Sequence, residues 1–168
     1  RLMKTLISAP EKEYWQEDIP HQKDVLIEGV DIFENYLVVE ERKKGLTEIK
    51  VINWGDQSEY YLNFDDPTYS VSTFANPQFE TDILRFSYTS MTTPNSVFDF
   101  QMEKKTKILL KQDQVLDKDF HPKNYESKRY YASARDGKKI PISLVYKKGI
   151  KKDGKNPLLL YGYGSYGY

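Results

Sequence analysis

The sequence predicts a mainly β protein, and three observations support that fold class. The 168-residue chain contains 14 tyrosines, eight phenylalanines and two tryptophans, and such residues favour half-buried pleated surfaces. Several short segments alternate apolar and polar residues, as strands with one buried face do. No segment shows the apolar spacing of an amphipathic helix. Together these features indicate antiparallel sheets joined by turns.

Two hairpin-like segments with the same layout lie 47 residues apart. Residues 36–53 read as a strand, a charged turn that ends on Gly45, and a return strand, and residues 83–100 repeat this order. Residues 58–64 and 69–75 supply shorter strand-like runs between them. Four short strands in a period of about 40–50 residues are typical of a β-propeller blade.

The repeat also predicts which side chains are buried. On the 47-residue spacing, Leu84 takes the position of Leu37, and Phe98 takes that of Val51. A chance likeness between hairpins of a simple meander is the alternative interpretation. Because two blades cannot close a ring, we expect further blades to precede Arg1 in a longer protein. The expected buried face of the second hairpin comprises Leu84, Phe86, Tyr88, Ser96, Phe98 and Phe100.

A third hairpin is predicted at residues 130–146, where the Asp136-Gly137 pair is a strong turn signal. A lysine-rich stretch, residues 147–156, follows it and is typical of an exposed loop. Ahead of the hairpin, residues 111–129 are polar and poor in strand signals, as a connection between domains would be. We therefore place a domain boundary near Asp119.

Composition excludes several classes of function. Lys and Arg together number 25, as do Asp and Glu, so that the formal net charge is zero, and no overall field attracts nucleic acid or an anionic membrane. The chain has no cysteine, and its two histidines, His21 and His121, are too far apart in sequence for a standard zinc motif. No apolar run approaches the length that crosses a bilayer. We expect neither a metal nor a cofactor.

The last eleven residues combine an apolar run, residues 158–161, with a Gly/Tyr segment, residues 162–167. The run predicts a buried strand that includes Tyr161. The Gly/Tyr segment matches the G-x-G-x-x-G pattern of dinucleotide-binding proteins, which is weak evidence when it stands alone. Tyr163 and Tyr166 would crowd a turn that must bring backbone amides to a pyrophosphate. The dinucleotide-binding fold also requires alternating strands and helices, but the preceding segments are predicted hairpins.

Residues 140–166 resemble the opening of the catalytic domain in the prolyl oligopeptidase family of serine peptidases, which joins a β-propeller to an α/β-hydrolase domain. The order of propeller-like blades, Asp-Gly hairpin and PLLLYGYG run is similar along nearly the whole chain. The segments YLVVEERKKGL and YGYGSYG are most similar to the oligopeptidase B (protease II) branch, because prolyl endopeptidases tend to carry a second glycine and then phenylalanine. The resemblance implies that residues 1–119 are the last propeller blades and residues 120–168 the first hydrolase strands.

The resemblance also implies roles for four residues near the end of the chain. Tyr163 corresponds to the tyrosine whose hydroxyl stabilises the oxyanion of the tetrahedral intermediate. Gly162 and Gly164 would form a hinge that lets the loop aim this hydroxyl, since glycine readily adopts positive φ. Tyr166 corresponds to an aromatic residue that lines the pocket for the residue before the cleaved bond, although simple packing under the loop would also explain it.

Other candidate catalytic residues are rejected on sequence context. Ser165 lacks the G-x-S-x-G elbow that exposes a hydrolase serine. Asp136 is explained by its hairpin turn, and His21 and His121 precede the motif, whereas the hydrolase order is serine, acid, histidine. The triad is therefore expected beyond Tyr168, and the chain alone should not hydrolyse peptides.

The resemblance implies a serine oligopeptidase that cleaves short peptides after Lys or Arg through an acyl-enzyme, with the propeller restricting access. Cleavage after proline and a non-catalytic propeller that binds a partner are the alternatives. The family implies a cytoplasmic location, with the periplasm also open. Because isolated blades leave sheet edges and apolar faces uncovered, we expect the chain to self-associate.

Overall fold

The computed structural model describes residues 1–164 and contains almost only strands and connections. Two three-residue 3-10 helices, Lys12–Tyr14 and Pro122–Asn124, are the helical elements of this range. The mainly β fold class is thereby confirmed. The strands are β1 (Leu2–Lys4), β2 (Gln16–Ile19), β3 (Val25–Ile32), β4 (Tyr36–Lys43), β5 (Leu46–Asn53), β6 (Glu59–Tyr61), β7 (Tyr69–Thr73), β8 (Ile83–Ser90), β9 (Ser96–Gln101), β10 (Thr106–Gln112), β11 (Tyr125–Ser133) and β12 (Lys139–Lys147).

Two four-stranded antiparallel sheets form the centre of the described chain. Strands β3, β4, β5 and β6 pair in sequential order, as do β7, β8, β9 and β10; we call these sheets the first blade and the second blade. The two predicted hairpins are β4–β5 and β8–β9, the middle strands of each blade, and the two shorter runs contain β6 and β7. Strands β1–β2 and β11–β12 form separate two-stranded sheets.

An apolar core lies between the two blades and contains most of the predicted buried face. Leu84 and Phe86 are fully buried, and Phe98 is partly buried against the same cluster. A smaller cluster on the opposite face of the first blade joins Leu37 and Val39 to Ile19 of β2. The core between the blades is built by Phe33, Tyr36, Val38, Ile49, Val51, Leu62, Val71, Leu84, Phe86, Tyr88, Phe100 and Met102.

One part of the predicted repeat is wrong, because Phe98 does not occupy the position of Val51. Val51 pairs with Val38 in the first blade. The residue 47 positions after Val38 is Arg85, and Arg85 pairs with Asp99. Residues 91–95 make a longer connection than the two-residue turn of β4–β5, so the return strand is shifted by one position. A shift of one residue moves a side chain to the other face of the sheet.

Polar contacts also join the blades. The Tyr60 hydroxyl donates to the Met102 carbonyl oxygen at 2.6 Å, and the Thr73 backbone N–H donates to Oε1 of Glu40. Burial raises the pKa of Tyr60, and the nearby Tyr36 adds to this effect, so the phenol stays protonated and available as a donor. The blades are thus packed through apolar contacts and joined by partly buried hydrogen bonds.

Strands β11 and β12 confirm the third predicted hairpin and pair without a register break from Tyr125–Lys147 to Ser133–Lys139. Its loop is closed by two hydrogen bonds between backbone groups of Ala134, Gly137 and Lys138. Gly137 has a φ of +81°, as the last position of a three-residue hairpin loop requires. The expected boundary near Asp119 falls in the connection between β10 and β11 and stays a prediction.

Candidate functional site

The predicted oxyanion segment follows β12 through the lysine-rich loop. Lys152 Nζ donates to the Tyr146 hydroxyl at 2.8 Å and lies 4.0 Å from the centre of that ring. Asn156 Nδ2 donates to the Lys151 carbonyl oxygen at 2.6 Å. Gly149 and Gly154 both have positive φ, so they supply the sharp bends. Lys152 thereby anchors the loop to β12.

The apolar run that precedes the tyrosine motif does not form the predicted buried strand. Leu158, Leu159, Leu160 and Tyr161 belong to no strand, and their side chains are exposed. The expectation that Tyr161 lies in a buried strand is therefore wrong for this chain. A strand is defined by hydrogen bonds to a neighbouring strand, and within residues 1–164 no strand pairs with this segment.

Tyr163, the predicted oxyanion donor, is 78% exposed. Gly164 has a φ of +121°, a backbone conformation that residues with a Cβ rarely adopt. Gly162 is not among the described glycines with positive φ, so the bend lies on the C-terminal side of Tyr163. Tyr166, the predicted pocket residue, lies outside the described residues, as does Ser165.

The described geometry supplies one donor and not a complete catalytic centre. A phenol O–H can donate a hydrogen bond to an oxygen that becomes negative during acyl transfer. The sequence contains no G-x-S-x-G elbow, and the rejected Asp136 accepts the Lys138 backbone N–H at 3.1 Å as part of its turn. The oxyanion assignment of Tyr163 thus stays a prediction.

A buried charged cluster, which the sequence pattern did not reveal, lies on β4, β5 and β6. Lys50 Nζ is 3.1 Å from Glu41 Oε1, with side-chain exposures of 6% and 1%, and the Tyr61 hydroxyl donates to Glu41 Oε2 at 2.7 Å. The Lys50–Glu41 contact is an ion pair without hydrogen-bond geometry, because Oε1 has no hydrogen-bond partner. Burial, helped by the hydrogen bond to Glu41, raises the pKa of Tyr61 to about 12.

A second polar cluster surrounds Asp66, on the connection between the blades. Its carboxylate accepts hydrogen bonds from the hydroxyls of Tyr88 at 2.7 Å and of Thr92 and Thr93 at 3.1 Å. Burial alone would raise the pKa of Asp66, but hydrogen bonds from Tyr88, Ser90 and the two threonines outweigh it and lower the pKa. The carboxylate is therefore saturated with donors and suits a structural role.

Two further findings concern the described residues. Across residues 1–164, no helix is both long enough and apolar enough to cross a membrane. The same range contains no group of three or more His, Cys, Asp or Glu side chains placed to hold a metal ion.

Comparisons with known proteins cover the blades and most of the rest of the chain. The family model described as prolyl oligopeptidase, N-terminal β-propeller domain, matches residues 1–113. Dipeptidyl aminopeptidase BI of Pseudoxanthomonas mexicana is 41% identical over 167 residues, which cover 96% of this chain and 23% of that protein. Protease 2 of Moraxella lacunata is 30% identical over 96% of this chain and 21% of its own length.

Solved structures agree with the sequence relatives. Oligopeptidase B of Trypanosoma brucei, in a closed form with covalently bound antipain, superimposes with a TM-score of 0.77 and 36% identity over 89% of this chain and 22% of that chain. Oligopeptidase B of Leishmania major gives a TM-score of 0.70 at 28% identity, over 80% of this chain and 20% of that one. The chain thus spans roughly a fifth to a quarter of the proteins that it matches.

Proposed function

The chain belongs to the prolyl oligopeptidase family, and on that premise we propose that it is part of a serine peptidase that hydrolyses short peptides. In this proposal, the two blades form part of a propeller that limits access to the catalytic serine. The hairpin β11–β12 and the segment up to Tyr163 open the hydrolase domain. The serine, acid and histidine of the triad are supplied by other parts of the longer protein.

The observation that carries this proposal is the family match over residues 1–113, which spans both four-stranded sheets. The oligopeptidase B likeness extends over 89% of the chain, and the Tyr-Gly-Tyr-Gly motif follows in sequence. A propeller alone would serve equally well as a binding module. The Tyr-Gly-Tyr-Gly motif after the third hairpin favours an enzyme over a binding module, because an oxyanion donor acts only on a reacting carbonyl.

We assign the oxyanion donor to Tyr163. Its neighbour Gly164 has a positive φ, which supports a bend next to Tyr163, and the Tyr163 residue is 78% exposed. Tyr166 is proposed to line the pocket for the residue before the cleaved bond. This second assignment rests on the family resemblance alone.

For specificity, we propose cleavage after Lys or Arg, supported by the 36% identity to oligopeptidase B of Trypanosoma brucei. A second candidate is removal of dipeptides from the amino end of peptides. It is favoured by the 41% identity to a relative named dipeptidyl aminopeptidase BI. Cleavage after proline is the third, because a prolyl endopeptidase of Elizabethkingia meningoseptica is 30% identical over 99% of the chain.

Peptide assays on the full-length protein that contains this chain distinguish these candidates. A blocked peptide with one internal arginine is cleaved by an endopeptidase of the proposed specificity but has no free amino end for a dipeptidyl peptidase. Replacing the arginine by proline tests the third candidate. The same peptides with a free amino end test the dipeptidyl peptidase. Failure to cleave the blocked and the unblocked peptides alike would contradict the enzymatic proposal and favour a binding module.

The role of Tyr163 is tested by Tyr163→Phe in the same full-length protein. Removing one oxyanion donor typically lowers kcat by about 10²- to 10³-fold, or ~2.7–4 kcal/mol in the activation barrier. We expect that loss with little change in KM and no change in folding. Tyr161→Phe is the matched control, because Tyr161 lies in the same segment and is similarly exposed at 82%. Near-normal turnover of Tyr163→Phe, or an equal loss in the control, would contradict the assignment.

A further inference from the structure

The hairpin β11–β12 contacts the first blade at the turn between β4 and β5. Arg129 on β11 donates from Nη2 to the Lys44 carbonyl oxygen at 3.0 Å, across 85 positions of sequence. From Nη1 it donates to Ser143 Oγ on β12 at 2.9 Å, and Arg129 and Ser143 face each other in the hairpin. One guanidinium therefore joins both strands of the hairpin to the blade.

The blade turn has a shape that permits this approach. Lys44 and Gly45 have φ values of +50° and +75°, and they connect the paired residues Lys43 and Leu46. This is a two-residue hairpin loop with both central residues at positive φ, which glycine favours. A Cβ added to Gly45 would lie 2.9 Å from Nη2 of Arg129, which is too close for an ordinary contact.

Other turn glycines do not have this constraint. Gly137 and Gly149 have φ values of +81° and +82°, yet nothing lies within 4 Å of a Cβ built on either. At Gly45 the same Cβ would also lie 3.2 Å from Pro141 Cγ on β12. The close approach is therefore specific to the contact between hairpin and blade and does not follow from the turn conformation.

Arg129 is partly buried, and its two guanidinium hydrogen bonds lie at the surface. Its Nε is buried and has no hydrogen-bond partner. Its charge acts on Tyr69 at the start of the second blade: burial and Glu48 raise the pKa of that phenol, and Arg129 lowers it. A cleft of about 590 Å³ opens beside the contact, lined by Lys44, Gly45, Tyr131, Lys139 and Pro141. The hydrogen bond from Arg129 to the Lys44 carbonyl thus joins the hairpin to the blade next to an open cleft.

We propose that Arg129 and the Lys44–Gly45 turn form a clasp that holds the hairpin β11–β12 in a fixed position on the first blade. Arg129 acts as a positioning residue, because it touches no reacting group in the described structure. The clasp goes beyond the proposed peptidase function and does not depend on the role of Tyr163. When it is broken, the hairpin should move relative to the blade while both keep their own fold.

Distances between two spin labels in the 168-residue chain test the clasp. The chain has no cysteine, so Lys44→Cys and Lys139→Cys give two unique labelling sites on opposite sides of the cleft. Lys44 contributes only its backbone carbonyl to the clasp, which the cysteine retains. The labelled chain is mixed with an excess of unlabelled chain so that the electron paramagnetic resonance signal reports distances within one molecule. We expect one narrow distance distribution.

In that labelled background, Arg129→Ala and Gly45→Ala should at least double the width of the distribution. Arg129→Lys should widen it too, because lysine keeps the charge but cannot reach the Lys44 carbonyl and Ser143 together. Gly137→Ala is the matched control, since it adds a Cβ at a similar positive φ without touching any neighbour, and it should leave the distribution narrow. Hydrogen exchange at the buried Val38 and Val51 amides verifies that each variant keeps its blades.

Several results would overturn the clasp. These are a broad distribution in the parent pair, a narrow one in Arg129→Ala, Gly45→Ala or Arg129→Lys, and equal broadening by Gly137→Ala. A variant that lost exchange protection in the blades would also count against it, because the clasp predicts motion of the hairpin with both sheets intact. The label distances do not depend on peptidase activity, so a result that overturns the clasp does not contradict the proposed function.

Discussion

At the scale of single residues, the structure places a charged pair inside the first blade. Glu41 and Lys50 belong to strands whose pairing was predicted from the strand, turn and return strand of residues 36–53. Nothing in that layout marks a charged residue as buried, because charged side chains are usually exposed. The ion pair follows from the pairing of β4, β5 and β6, which the sequence pattern does not specify residue by residue.

The buried pair should be sensitive to removal of one partner. Glu41→Leu leaves Lys50 without its nearest carboxylate, and breaking a buried ion pair typically costs about 3–5 kcal/mol of unfolding free energy. The double variant Glu41→Leu/Lys50→Met should recover most of that loss, because apolar replacement of both partners is often neutral. Urea denaturation of the 168-residue chain measures both effects.

The exposed pair of Arg1 and Glu17, at 3.3 Å, gives the control for that experiment. Glu17→Gln should change the unfolding free energy by less than about 1 kcal/mol. If the single variant Glu41→Leu were as stable as the wild type, Lys50 would be solvated in solution, contrary to its exposure of 6%.

Tyr61 should make stability depend on alkaline pH. Its pKa is raised mainly by burial, to about 12 from an ordinary 10.0. The unfolded chain therefore releases this proton before the folded chain does, and stability falls as pH rises from 10 towards 12. Tyr61→Phe should lose less stability over that interval than the wild type does. Urea midpoints at pH 9 and pH 11 measure the two slopes, and equal slopes would contradict the shifted pKa.

At the scale of elements, strand order was predictable but register was only partly so. Alternation at Leu84 and Phe86 marked the buried face of β8 correctly. Phe98 was placed one position out of register, because the length of the β8–β9 connection decides the pairing and the repeat does not encode it. The strand expected at Leu158–Tyr161 failed for a related reason. An apolar run shows that a strand can form, but it does not identify the neighbouring strand with which it would pair.

The Asp66 cluster predicts how the connection between the blades responds to mutation. Asp66→Ala leaves the hydroxyls of Tyr88, Thr92 and Thr93 without their acceptor, and we expect a loss of about 2–4 kcal/mol of unfolding free energy. Asp65→Ala is the control, because the Asp65 side chain is next in sequence but exposed. Its loss should change the unfolding free energy by less than about 0.5 kcal/mol. Thermal or urea unfolding gives the comparison, and equal effects of both variants would contradict the structural role.

The same cluster has a defined acid response. The folded pKa of Asp66 lies below its ordinary value of 3.8. The ionised carboxylate therefore adds to the unfolding free energy above pH 3.8, and this contribution disappears as pH falls through the folded pKa. The stability difference between wild type and Asp66→Asn should therefore shrink below about pH 4. Unfolding at pH 6 and pH 3 measures it. A difference that stayed constant over this range would mean that the carboxylate charge is not what the hydroxyls recognise.

At the scale of the whole molecule, the sequence revealed the family, because motif and blade repeat occur in a fixed order along the chain. The contacts between distant parts were not predictable. Arg129 and Lys44 are 85 positions apart, and their only sequence signal is a glycine in a charged turn. In the proposed function, the triad would likewise be supplied by residues outside this chain.

We expect the 168-residue chain to self-associate through uncovered strand β10. All seven of its residues are exposed, including Ile108, Leu109 and Leu110, and exposed apolar edge strands pair readily with other chains. Ile108→Lys combined with Leu110→Lys should shift the sedimentation velocity profile towards monomer. A wild-type chain that stayed monomeric at high concentration would contradict this expectation.

The proposed oxyanion role of Tyr163 is tested by a crystal structure of the full-length protein with a peptide aldehyde bound covalently to its nucleophile. We expect the Tyr163 hydroxyl at about 2.7–3.1 Å from the former aldehyde oxygen. A hydroxyl that points away from that oxygen, or the absence of a hydrolase core around it, would show that Tyr163 is not the oxyanion donor of a serine peptidase.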